Sequence, residues 1–148
     1  MRLLGIDPGT TVSGWVIYDT TTKQVVDGGV ADNAPLLYGL SEMPVDALAI
    51  EVFEARGMPI GNESIETILY TGMLIQAWGR AKLYRVRRSA VKLHLCGSSK
   101  AKDGNIRQAL IDLVGPQGKK SAPGPTYGLA SHAWAALGVA VTAAETLL

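Results

Sequence analysis

Residues 3–31 read LLGIDPGTTVSGWVIYDTTTKQVVDGGVA, and the fold class follows from this stretch. Leu3, Leu4 and Ile6 around Gly5 form a short buried strand, which the turn residues Asp7-Pro8-Gly9 stop. Residues 12–19 alternate and are rich in β-branched and aromatic side chains, the pattern of a second strand. Residues 25–31, beyond the polar run 20–23, supply a third. The links are too short for a crossover helix, so these strands are predicted to pair as an antiparallel meander. A dinucleotide-binding unit, which needs a helix directly after its first strand, is excluded.

Outward from this meander, residues 33–41 are ambiguous between loop and short helix, and residues 47–50 form a fourth strand that ends at Glu51. Residues 63–79 read as a helix with apolar side chains nearly all round it, from Ile65 to Trp78, so it is either fully buried or shared with a second subunit. A fifth strand at 83–86, a short helix at 90–95, a helix capped by Asp103, a mobile Gly/Pro/Lys loop at 117–128 and a last helix at 129–145 complete the expectation. The sum is one α/β domain over residues 1–148, a mixed five-stranded sheet flanked by helices.

Composition narrows the function. Of 148 residues, 47% are hydrophobic and 18% charged, which excludes a disordered chain. Asp7 lies too near Met1 for a secretory leader, and the apolar run 133–144 is too short to span a bilayer. A lone Cys96 allows neither an intrachain disulfide nor a cysteine zinc site, and with His94 it makes only two potential ligands; a cytoplasmic protein is expected. The net charge of +1 conceals two opposed halves. Residues 1–79 carry three basic and ten acidic side chains, whereas residues 80–148 carry eleven basic and three acidic. Nine bases fall between Arg80 and Arg107, a density suited to a polyanion.

Asp7 and Glu51 each end a predicted buried strand. If those strands are neighbours, both carboxylates emerge at one sheet edge, where a divalent cation offsets their repulsion. Read apart from that pairing, Asp7 is a turn residue and Glu51 a surface charge. His132 and Ala135 share a face of the last helix, and Ala135 ligates nothing. Glu145 stands too far along that helix to substitute.

GIDPGTTVSGW at 5–15, AIEVFEARG at 49–57, SAVK at 89–92 leading to Gly97, and SHAWAALGVA at 131–140 together resemble the RuvC family of Holliday-junction resolvases, most nearly its small phage-encoded members. The resemblance runs in order over nearly the whole chain and implies an RNase H-like fold. It implies a homodimer, joined through helix 63–79, that cuts four-way DNA junctions with two Mg²⁺ ions per site, Mn²⁺ substituting, and leaves a 5′-phosphate. No small-molecule cofactor and no membrane is implied; a phage protein would act in its host's cytoplasm. Asp7 then resembles the ligand bridging both metals, Glu51 a second ligand and His132 a third, while the fourth acid falls on Ala135. That departure reads as an introduced Asp→Ala change that impairs cleavage, or as natural degeneration to a junction-binding protein.

Lys92 matches a phosphate-contacting lysine of the family, Lys102 a second one shifted by one residue, and Phe53 a base-stacking aromatic one residue out of register. Arg85, Arg87, Arg88, Lys100 and Arg107, with Lys119 and Lys120 on the loop, complete the expected DNA contacts. A broader flap and fork nuclease remains an alternative. GIDPGTT also resembles the phosphate loop of sugar kinases and actin-like ATPases, but 148 residues cannot supply their two lobes.

Overall fold

Strands β1 (Arg2–Asp7), β2 (Val12–Asp19) and β3 (Gln24–Asp32) pair antiparallel. On the other side of β1, strands β4 (Ala47–Val52) and β5 (Leu83–Arg87) add in parallel, giving the order β3-β2-β1-β4-β5. The computed structural model describes residues 1–148. Its five-stranded mixed sheet with a three-stranded antiparallel part is the architecture expected from the sequence. β1 and β4, at the centre, are apolar on both faces because both are covered.

One face packs under α1 (Asn33–Gly39), a 3₁₀ turn (Leu40–Glu42) and α2 (Asn62–Trp78), where Leu4, Ile6, Leu48 and Ile50 meet Leu36, Leu40, Leu74 and Trp78. The other packs under α5 (His132–Thr146), with α3 (Arg88–Cys96) and α4 (Asp103–Val114) outside it; here Leu3, Ala47, Ala49 and Val86 meet Val91, Leu110 and Leu137. α5 is therefore a central helix, buried from Ala136 to Ala143 without a break.

Small residues let α5 lie directly on the sheet. A Cβ at Gly5 would stand 2.4 Å from the Ala136 carbonyl oxygen, and one at Gly14 would stand 2.0 Å from that of His132. The two glycines thus fix both the height of α5 and the position of its first turn.

Several expectations need correction. Of the two readings of α2, full burial fails: Tyr70, Thr71, Leu74 and Trp78 form its buried stripe, while Ile65, Ile68, Leu69 and Met73 form a second apolar stripe that is exposed, as a helix shared with a second subunit would have it. Residues 117–128 are not a plain loop. They contain the hairpin β6 (Gly118–Lys119) and β7 (Ala122–Pro123), held by the Gln117 side chain on the Leu129 carbonyl and by the buried Thr126 on that of Gly115. α5 starts at His132 rather than at 129, because Ser131 takes a positive φ of 50° just before it. Asp103 is not the cap of α4 but its first residue; the preceding Lys102 backbone N–H donates to Asn105 Oδ1 at 2.9 Å.

Gly5→Ala and Gly14→Ala should each destabilise the chain by at least about 1–3 kcal/mol, the scale of overpacking a core. Gly39→Ala, where a Cβ meets nothing within 4 Å, should change stability little. Urea denaturation of the three variants checks the contrast.

Candidate active site

The strand register brings the two carboxylates together. Leu3, Leu4, Gly5 and Ile6 of β1 pair with Ala47, Leu48, Ala49 and Ile50 of β4, so one further step sets Asp7 beside Glu51. Odd-numbered residues of both strands face α5, as Leu3, Ala47 and Ala49 do, and α5 begins at His132 above the same edge. His132 Nδ1 lies 2.9 Å from Asp7 Oδ2. A carboxylate only accepts, so Nδ1 is the donor in this contact.

A buried network fixes the turn after Asp7. Ser13, fully buried, accepts from the Gly9 backbone N–H at 3.1 Å and donates to Asn33 Oδ1 at 2.7 Å. Asn33 returns a bond from Nδ2 to the Gly9 carbonyl, and Tyr70 of α2 donates to the Asn33 carbonyl.

A cavity of about 490 Å³ holds Asp7, Glu51, His132 and Ala135, with Arg88 and Arg107 in its wall. A second, of about 430 Å³, is lined by Asp7, Glu51 and Arg88 again, with Phe53, Arg56 and Lys92 beyond them. The two share the carboxylate pair and Arg88, and so form one groove that crosses the sheet edge.

Glu51 is the strained member. Its Oε2 is buried without a hydrogen-bond partner, and the carboxyl is pushed up to about 8, by burial first and by the Asp7 carboxylate second. Arg88, whose Nη1 lies 3.8 Å from Oε2, pulls the other way. Two adjacent carboxylates, one with an unsatisfied buried oxygen, fit a hard divalent cation. No three His, Cys, Asp or Glu side chains stand close enough to make a preformed metal cluster. Asp7 and Glu51 would hold such an ion, with His132 Nε2 the nearest further donor the helix offers.

The expected DNA contacts divide by location. Phe53 is exposed on the groove, and Lys92 and Arg107 line it. Arg107 also lies 5.1 Å over the Trp134 ring. Arg85 and Arg87 are exposed on the edge strand β5, Lys102 precedes α4, and Lys119 and Lys120 are exposed on the hairpin. Lys100 lines a separate hollow beside Cys96, away from the carboxylates. Arg80, although part of the basic run, is structural, donating to the Val45 and Ser41 carbonyls and lying 4.1 Å over Trp78. His94 Nε2 sits 2.6 Å from Glu145 Oε2, tying α3 to the far end of α5. Sequence reasoning missed Asp103 as a cavity residue and its ion pair with Arg88. The only signal was that Asp103 is the lone acid of the basic segment.

In the metal-free chain, Glu51 holds a proton that the unfolded chain releases above its ordinary 4.5, so stability should fall as pH rises from there to about 8. Glu51→Gln should remove that slope. The variant should be the more stable by about 1–3 kcal/mol at about pH 8.5, the gap closing near pH 5. Denaturation in a chelator across this range is the check.

Comparison with protein-family models and with curated proteins returns no match. Among solved structures, RuvC of Thermus thermophilus superposes with a TM-score of 0.67 at 22% identity, over 97% of this chain and 93% of that one. The same protein in complex with a Holliday junction substrate gives 0.69 at 23% identity, with the same coverage. From its first strand to its last helix the chain has the RNase H-like fold of RuvC.

Proposed function

We propose that the chain is a structure-selective DNA endonuclease of the RuvC type, acting on four-way junctions, with Ala135 impairing its cleavage. The observation that carries this reading is the groove itself: adjacent carboxylates at its centre, one unsatisfied, and basic or aromatic side chains along both arms. The fold shared with a RuvC seen on a Holliday junction supports the substrate class.

Asp7 and Glu51 would hold Mg²⁺ or Mn²⁺, with His132 as third donor and the position of Ala135 as the missing fourth. A divalent ion there supplies Lewis-acid polarisation of the phosphoryl group and lowers the pKa of water. The hydrogen bond from Nδ1 to Asp7 orients the His132 ring, leaving Nε2 as the nitrogen that would take the ion. Lys92, Lys102 and Arg107 hold phosphates, which positions the strand without reading its sequence. Phe53, exposed on one arm, stacks on a base opened at the branch point. Symmetric cutting needs two sites, and the exposed apolar stripe of α2 is the surface through which two chains would pair.

Ala135→Asp should raise Mg²⁺-dependent cleavage of labelled four-way DNA about a hundredfold or more, the scale of one lost electrostatic contact to the transition state. Cutting of flaps and forks as well would broaden the substrate. A variant that binds junctions and never cuts with either metal would make binding the function. Replacing both Leu69 and Met73 by Lys should leave the chain monomeric by light scattering, against a dimer for the unchanged chain.

A further inference from the structure

Arg88 stands inside the groove rather than along it. It is the first residue of α3, its side chain is 25% exposed, and it lies at the point where the two cavities meet. One guanidinium nitrogen faces Glu51 Oε2, the buried oxygen without a hydrogen bond, at 3.8 Å, and the other bonds Asp103 Oδ1. The Asp103 side chain is 87% exposed, so that pair alone holds Arg88 weakly, and the Glu51 carboxyl group, 17% exposed, is the second group that the guanidinium faces. A planar fork that spans two carboxylates also matches a phosphate in shape and charge.

The donor set leaves room for one ion, not two. The cavity offers Asp7, Glu51 and His132; position 135 offers a methyl group, and the one further acid in the wall, Asp103, is taken up by Arg88. A second divalent ion drawing on Glu51 and Asp103 would have to occupy the space of a positive charge. We infer that the chain binds a single divalent ion per site and that Arg88 takes the place of the second, its guanidinium resting on Glu51 and Asp103 without DNA and turning to the phosphate under attack when DNA fills the groove. This rests on the nuclease reading above and changes its electrostatics: one of the two cations of the site is part of the chain.

Titration of the full-length chain with Mn²⁺, read as free ion by electron paramagnetic resonance, tests it without any cleavage. The unchanged chain should bind one Mn²⁺. Arg88→Gln, which frees Glu51 and Asp103, should bind two, and Arg88→Lys, which keeps the charge, should again bind one. Arg88→Met, of similar length and no charge, gives the same reading should the Gln variant not fold. Two ions on the unchanged chain, or one on both neutral variants, overturns the inference and leaves the proposed cleavage standing. No ion on any of them overturns the metal site on which both depend.

Discussion

The close seat of α5 on the sheet, made possible by the absence of side chains at Gly5 and Gly14, is the contact on which the site depends. It lets the Ala136 carbonyl approach β1 and sets the first turn of the helix over β2. His132 therefore arrives within hydrogen-bond reach of Asp7, although the two are 125 residues apart in sequence. Raising the helix by the thickness of a methyl group would separate His132 and position 135 from the carboxylates of β1 and β4. The geometry of the candidate site is in this sense a packing property, and protein interiors are too dense to absorb such a shift locally.

The sheet could be read from the sequence because its residues obey two simple patterns. β2 alternates, and β1 and β4 are short apolar runs interrupted by Asp7 and by Glu51. Parallel pairing of two such runs put their terminal carboxylates side by side. What could not be read was long-range or depended on local backbone detail. The α2 pattern was apolar all round, and only the packed structure separates the stripe at Tyr70, Leu74 and Trp78 from the exposed one at Ile65, Leu69 and Met73. The hairpin at 118–123 rests on side-chain bonds from Gln117 and Thr126 to carbonyls on either side of it, which no periodicity records. Arg88 looked like one more base in a run, and Asp103 like a helix cap. Their meeting over Glu51 follows from α3 and α4 folding across the same end of the sheet.

The opposed charges of the two halves of the sequence acquire a location in the fold. The acidic half contributes Asp7 and Glu51 from the sheet, and the basic half wraps round them with Arg88, Lys92 and Arg107. Without a bound cation the arrangement is internally strained: Glu51 resists ionisation, and only Arg88 favours its charge. A site that stores this much repulsion is poised for positive charge, whether from solution or from the chain.

Crystals of the chain soaked in Mn²⁺, with anomalous scattering recorded at the manganese edge, would test this account most directly. It predicts an anomalous peak between the Asp7 and Glu51 carboxylates at ligand distance from both. Manganese bound elsewhere, with those carboxylates left bare, would contradict it.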